Sequence, residues 1–180
     1  VLASARLVLR AFTVADAELL FALDSDPEVM RFVGPYTLPN IEAYGSHIAQ
    51  RILPYYDRGP DFGFVAAVEK TTGDFLGWFH MRPALDYRFA AEAGYRAGDF
   101  DLGYRLRREA WGKGYATEGS RLLIEKAFAE WGAQRVVACA LIGNAASIRV
   151  LEKCGLRREE VFSFPGIEMP AVRYALGASS

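Results

Sequence analysis

The strongest constraint on the fold lies in the second half of the chain. A β-rich run over about 101–106 leads into Gly112-Lys113-Gly114, then an apolar-periodic stretch over 115–131, then a second β-rich run at 135–141. A strand, a helix and a strand in that order need a crossover, which sets the two strands parallel in one sheet with a right-handed connection. A glycine turn then stands at the mouth of the crossover helix. The rest of the pattern is antiparallel. Runs at 62–69 and 75–81 flank Lys70-Thr71-Thr72-Gly73-Asp74, which is hairpin chemistry, and 157–164 with 170–176 make a second pair. A short strand opens the chain at 7–10. A helix is predicted over 13–23 behind a Thr13 cap, and another over 41–56 with Ile41, Tyr44, Ile48 and Ile52 on one face, closed by Arg58-Gly59-Pro60. Residues 24–40, with Pro27, Pro35 and Pro39, read as loop, and 82–98 as an excursion beside the sheet. After the 135–141 strand, Asn144 is placed as an N-cap. Ile148, Leu151 and Cys154 share one side of its helix, and Gly155-Leu156 supplies a left-handed stop. The expectation is an α/β fold: a single domain over 1–180, with a mixed, mostly antiparallel sheet and flanking helices.

Composition narrows the function. Lys plus Arg number 21 against 22 Asp plus Glu, a net charge of −1, with none of the basic excess that phosphate-backbone binding needs. Nucleic acid is therefore not expected as a partner. The longest apolar run, 136–142, is far short of the ~20 residues of a membrane-spanning helix, so no membrane partner is expected either. Cys139 and Cys154 fit neither a disulfide framework nor a metal pair, with His47 and His80 far away in sequence. They read as buried thiols of a cytoplasmic protein that holds no metal. The chain starts at Val1 rather than Met, which leaves a trimmed segment open. Exposed strand edges leave room for a homodimer without determining one.

Chemistry concentrates in Trp111-Gly112-Lys113-Gly114-Tyr115-Ala116-Thr117-Glu118. Two glycines let the backbone approach a ligand, and the N–H groups of a helix start favour an anion such as a pyrophosphate. Lys113 adds a charge, and Ala116 and Thr117 leave room and a hydroxyl donor. The bland alternative is a tight turn with a glycine for helix packing. A P-loop is excluded because no GxxxxGK[ST] exists in the chain, and a dinucleotide fingerprint fits poorly with Thr117 in place of the third glycine. An NAD-dependent oxidoreductase is accordingly the weakest reading.

The second signal, Asn144-Ala145-Ala146-Ser147-Ile148-Arg149-Val150-Leu151-Glu152-Lys153-Cys154-Gly155, starts just after the 135–141 strand. Together the two segments resemble the acetyl-CoA-binding half of the GNAT N-acetyltransferase superfamily. The match is sharpest with the branch that contains the N-terminal (alanine/serine) acetyltransferases of ribosomal proteins. The likeness is strong over about 101–160 and consistent from Arg6-Leu7-Val8-Leu9-Arg10, which resembles the family's first strand. It implies acetyl-CoA as cosubstrate and a primary amine as acceptor, either a protein N-terminus or a small molecule. Two positions depart from the family's pattern. Glu109 stands where many members carry Gln or Arg, and Leu151 where many carry the Tyr that protonates the leaving thiolate.

Transfer from a thioester to an amine needs a base for the amine, donors for the oxyanion and a proton for the sulfur. Ser147, one helical turn before Leu151 on the same face, is the expected acid, with an ordinary N3 serine as the alternative. Asp101 occupies the place where branch members often carry Glu, and would act as base through water. The alternative is a solvated strand-end carboxylate. Glu118 and Glu92 are further acidic candidates. Asn144 either holds a carbonyl of pantetheine or substrate, or simply caps its helix. The resemblance places the backbone of Tyr104-Arg105-Leu106 beside the pantetheine arm, with Trp111, Gly112, Lys113, Gly114, Tyr115, Ala116 and Thr117 around the pyrophosphate. Arg105, Arg107, Arg108 and Lys153 are candidates for phosphate contacts, most of them expected as solvated charge. Phe32, Tyr36, Trp78 and Phe79 are candidates for an acceptor cleft or for core, with core favoured for Trp78 and Phe79. The runner-up function is a non-catalytic acyl-CoA-binding regulatory module.

Overall fold

The computed structural model describes residues 2–34 and 36–178, so Pro35 of the expected 24–40 loop lies outside the described residues. Among the described residues eight strands, β1 (Leu2–Ala3), β2 (Leu7–Arg10), β3 (Gly63–Glu69), β4 (Phe75–Pro83), β5 (Asp99–Leu106), β6 (Arg135–Leu141), β7 (Arg157–Phe162) and β8 (Ala171–Gly177), form a mixed sheet in the order β1-β2-β3-β4-β5-β6-β8-β7. The helices are α1 (Ala17–Asp24), α2 (Pro27–Met30), α3 (Ile41–His47), α4 (Tyr115–Ala129) and α5 (Ala145–Lys153). The predicted parallel pair is β5 with β6, joined through α4, and its ladder runs from Asp99↔Arg135 to Asp101↔Val137. The chain divides into two compact units, residues 1–80 with 104–119 and residues 81–103 with 120–180.

In the first unit β1, β2 and β3 pair antiparallel, and the 70–74 turn closes with Gly73 at φ +76° and the Glu69 N–H on the Asp74 carbonyl at 2.9 Å. The core gathers Phe12, Leu20, Tyr44, Ile48, Ile52 and Ala66, with Trp78 half-buried against it. The helical spacing of 41–56 reaches that core, but one continuous helix does not form. After α3 the chain passes through a wider π turn over Ile48–Ile52, then a 3₁₀ segment over Leu53–Arg58. Pro54 explains the change, because it has no N–H to continue the ladder. The 24–40 loop also needs correction, since it holds α2. Asp26 accepts the Glu28 N–H at 3.0 Å as N-cap, and Pro27 fills the first helical position, where a missing N–H costs nothing.

In the second unit β8 pairs antiparallel with β6 on one side and β7 on the other. A smaller core of Ala84, Ala93, Tyr95, Val137 and Ala175 is walled by Tyr87, Cys139 and Phe162. Arg135 on β6 makes a two-pronged ion pair with Asp99, at 2.9 and 2.8 Å, and also reaches Glu159 at 3.0 Å. Arg173 continues the row to Glu159 and Glu160.

Candidate functional site

The glycine segment lies in the first unit. After β5 a 3₁₀ turn covers Arg108–Ala110, and the chain swings through Gly112 and Gly114, at φ +69° and +84°, into α4. Side-chain residues avoid that left-handed conformation, which is why glycine occupies both positions. A Cβ on Gly112 would meet nothing within 4 Å, so the turn is open there. The Glu118 N–H bonds the Gly114 carbonyl at 3.0 Å, and the N–H groups before it stand outside the helical ladder at the positive end of the helix. Trp111, half-exposed, donates its indole N–H to the Leu106 carbonyl at 2.8 Å and ties the loop to the end of β5. Lys113 is exposed, Ala116 and Thr117 are half-buried, and the buried Tyr115 donates its hydroxyl to Glu69 at 2.6 Å. The arrangement suits a diphosphate, which needs convergent N–H donors, a nearby cation and no Cβ in the way.

A packing glycine that the sequence reading did not single out stands two residues beyond Thr117. A Cβ on Gly119 would fall 2.3 Å from the ring of the fully buried Phe79, so this glycine lets α4 lie close to β4. An isolated glycine inside a helical pattern was the available signal for it.

The side chain of Arg105 is not solvated charge. It pairs with Asp24 at 2.5 Å and lies over the Trp78 ring at 5.1 Å, and Asp24 also accepts the Tyr44 hydroxyl at 2.9 Å. Burial, and then the bond to Asp24, push Tyr44 up to about 12. Arg107 pairs with Glu109 at 3.0 Å and Arg108 with Asp26 at 2.7 Å, so all three arginines have carboxylate partners. The main chain of Tyr104-Arg105-Leu106 is closely packed from one side: a Cβ on Gly77 would sit 2.1 Å from the Arg105 carbonyl oxygen. Tyr36 is exposed, Phe32 and Trp78 are half-buried, and Phe79 is core as expected.

In the second unit Asp101 is buried, at 4% exposure, which removes the solvated strand-end alternative. The Tyr95 hydroxyl donates to one carboxylate oxygen at 3.3 Å, and the Arg82 guanidinium stands 3.5 Å from the other. The same Tyr95 hydroxyl lies 3.3 Å from the Cys139 sulfur. Cys139 is half-buried as a residue and Cys154 is buried, and neither forms a disulfide. Burial of its sulfur, then the Asp101 charge, push the Cys139 thiol up to about 12. Arg82 and Tyr95 come from the aperiodic 82–98 stretch, and no local pattern announces their meeting with Asp101.

Asn144 and Ser147 are brought together by the predicted cap: the Asn144 side-chain oxygen accepts the Ser147 N–H at 3.2 Å. The cap uses the oxygen of that amide and leaves its NH₂ group for other work. Ser147 is half-buried, and Leu151 on the same face is buried. Gly155, at φ +88°, ends α5 while the Leu156 N–H bonds the Leu151 carbonyl at 3.1 Å. Lys153 is exposed at that end, and its carbonyl accepts from Arg121 at 2.6 Å. Of the further acids, Glu92 is exposed, whereas Glu118 is engaged by Ser4 at 2.6 Å and Arg6 at 2.6 Å. Arg6 is a contributor that its strand-like setting gave no reason to single out. Among the described residues no group of three or more His, Cys, Asp or Glu could hold a metal, and no helix is long and apolar enough to cross a membrane.

Known proteins share both the sequence and the fold. A family model for the Acetyltransferase (GNAT) domain matches residues 6–157. The FsC-acetyl coenzyme A-N(2)-transacetylase of Aspergillus fumigatus is 32% identical over 180 residues, covering 96% of this chain and 74% of that protein. A GNAT-family acetyltransferase structure from Bacillus anthracis superposes with a TM-score of 0.78 at 21% identity, over 98% of this chain and 97% of its own. RimL, a ribosomal L7/L12 alpha-N-protein acetyltransferase solved with coenzyme A, gives a TM-score of 0.74 at 17% identity, over 97% of this chain and 95% of its own. With the family model spanning most of its length, this chain belongs to the GNAT family of acetyl-CoA-dependent N-acetyltransferases.

Proposed function

We propose that this chain acetylates a primary amine, on a protein N-terminus or a small molecule, by direct attack of the amine on the thioester of acetyl-CoA. The observation that carries the reading is the pair of left-handed glycines, 112 and 114, opening α4 with free space at Gly112. The relatives support it: one is an acetyl coenzyme A transacetylase, another a ribosomal L7/L12 alpha-N-protein acetyltransferase. Residues 1–180 act in this reading as one acetyltransferase domain in the cytoplasm.

The coenzyme supplies the activated acetyl group, and the chain supplies the rest. The loop from Trp111 to Thr117 binds the diphosphate through main-chain N–H groups, with the Lys113 charge beside them. Main-chain groups of Tyr104, Arg105 and Leu106 hold the pantetheine arm, and Asn144 donates its free NH₂ to a carbonyl. Ser147 gives a proton to the departing sulfur in the place where Leu151 cannot. Asp101 takes the proton of the amine through water, with the Tyr95 hydroxyl donating to one of its oxygens. Arg105, Arg107 and Arg108 are assigned no phosphate role because carboxylates already engage them. Lys153, exposed at the end of α5, is the remaining cation for a coenzyme phosphate.

The test is a thermal-shift series with acetyl-CoA, CoA, NAD and ATP, followed by thiol release over a set of N-terminal peptides and small amines. At about 1 mM, a ligand with a Kd of ~10 μM adds about 2.7 kcal/mol and raises the midpoint by roughly 5–10 °C. A rise with acetyl-CoA and CoA alone, and thiol release with at least one amine, is the expected result. Ser147→Ala then lowers kcat with the KM for acetyl-CoA little changed; unaltered turnover removes the acid role. A rise with CoA but no thiol release over the whole set replaces this reading by the non-catalytic binding module.

A further inference from the structure

The N-terminal segment carries a cation whose contacts all converge on the glycine loop. The Arg6 guanidinium donates to the Lys113 carbonyl at 2.9 Å, and to Glu118 through Nε at 2.8 Å and Nη2 at 2.6 Å. It also lies 4.4 Å over the Tyr115 ring. A Cβ on Gly114 would come 3.4 Å from Nη2, so this glycine leaves the space that Arg6 fills. Glu118 is held in turn by the Ser4 hydroxyl at 2.6 Å and the Arg6 N–H at 2.9 Å. One side chain therefore fastens the loop carbonyl, the first turn of α4 and its ring to a single point.

We infer that Arg6 is a positioning residue for the diphosphate loop: it sets the loop's donors and cancels a carboxylate beside them, without touching the ligand. The inference rests on the reading of 111–117 as a diphosphate site. Two physical arguments lead to it. A trans peptide puts its C=O and N–H on opposite sides, so anchoring the Lys113 carbonyl on Arg6 turns the Gly114 N–H the other way. Moreover, Glu118 is a negative charge in the first turn of the helix, where an incoming diphosphate also seeks the positive end. Paired with Arg6 that charge is neutralised; unpaired it repels the ligand. All of the donor nitrogens of the guanidinium named above are already spent on the protein, which is the geometry of a clamp.

The experiment compares CoA with pantetheine, which has the arm but no diphosphate, by calorimetry for CoA and by competition against CoA for pantetheine. Wild-type protein is expected to bind CoA far more tightly than pantetheine; equal affinity would overturn the diphosphate reading itself. Arg6→Met is expected to weaken CoA about tenfold or more while pantetheine affinity holds, in line with losing a charge-assisted hydrogen bond. If the Arg6→Met protein keeps the wild-type ratio, or loses both affinities together, the positioning role is wrong. Should that variant fail to fold, Arg6→Lys is read the same way. It keeps a charge opposite Glu118 but loses the fork that reaches the Lys113 carbonyl.

Discussion

Gly73 and Gly77 are both left-handed, at φ +76° and +138°, yet the fold uses them differently. A Cβ on Gly73 would meet nothing within 4 Å, whereas one on Gly77 would lie 2.1 Å from the Arg105 carbonyl oxygen. Gly73→Ala should cost about 1 kcal/mol, the strain of the left-handed backbone alone. Gly77→Ala adds a clash with main chain that cannot swing aside, and should cost about 3 kcal/mol or more; urea denaturation of the two variants checks the difference. Local chemistry was legible at this scale. Gly112 and Gly114 announce themselves because a turn into a helix is written in a few adjacent residues. The partners of Asp101 do not, since Arg82 and Tyr95 meet it through tertiary packing. Arg105 was misread for the same reason: its partner Asp24 lies 81 positions away in the chain.

At the scale of elements, periodicity found every long one, and failures occurred where a short-range signal was overlooked. Asp26-Pro27-Glu28 is a helix start in three letters, and α2 grows from it. Pro54 inside an apolar-periodic stretch marks where α3 must give way to tighter and wider turns. The cap of α5 offers a clean separation of structure from binding. Asn144→Asp keeps an oxygen that accepts the Ser147 N–H and removes the NH₂ donor. Its unfolding free energy should stay within about 1 kcal/mol of wild type while its KM for acetyl-CoA rises severalfold. Asn144→Ala should lose both, with stability down by about 1 kcal/mol. An Asn144→Asp enzyme with unchanged KM would leave Asn144 a cap and nothing more.

For the whole molecule, the two-unit division runs inside β4, β5 and α4, so neither unit is a continuous stretch of sequence. No linker marked that boundary because none exists. Each unit holds a buried carboxylate that responds to acid. Burial raises Asp16 and Asp99, but the bonds from Arg10 and the Thr13 N–H to the first, and from Arg135 and the Arg96 N–H to the second, together with the arginine charges, outweigh it and hold both below the ordinary value of 3.8. A native pKa below the unfolded one contributes stability above about pH 4 that is lost as pH falls through the lowered native value. Acidification from pH 5 toward 3 should therefore lower the urea midpoint. Asp99→Asn should be less stable by about 2 kcal/mol at pH 7, short of the ~3–5 kcal/mol of a lone buried charge because Arg135 keeps Glu159, and its midpoint should change less with acid. The strand order carries a consequence for biosynthesis. β8 sits between β6 and β7, although a ribosome makes it after both. Until residues 171–177 clear the exit tunnel, β6 and β7 each present an unpaired edge with no partner to reach for. This half of the sheet must therefore close after translation has passed it, and the nascent chain waits with its aggregation-prone edges open.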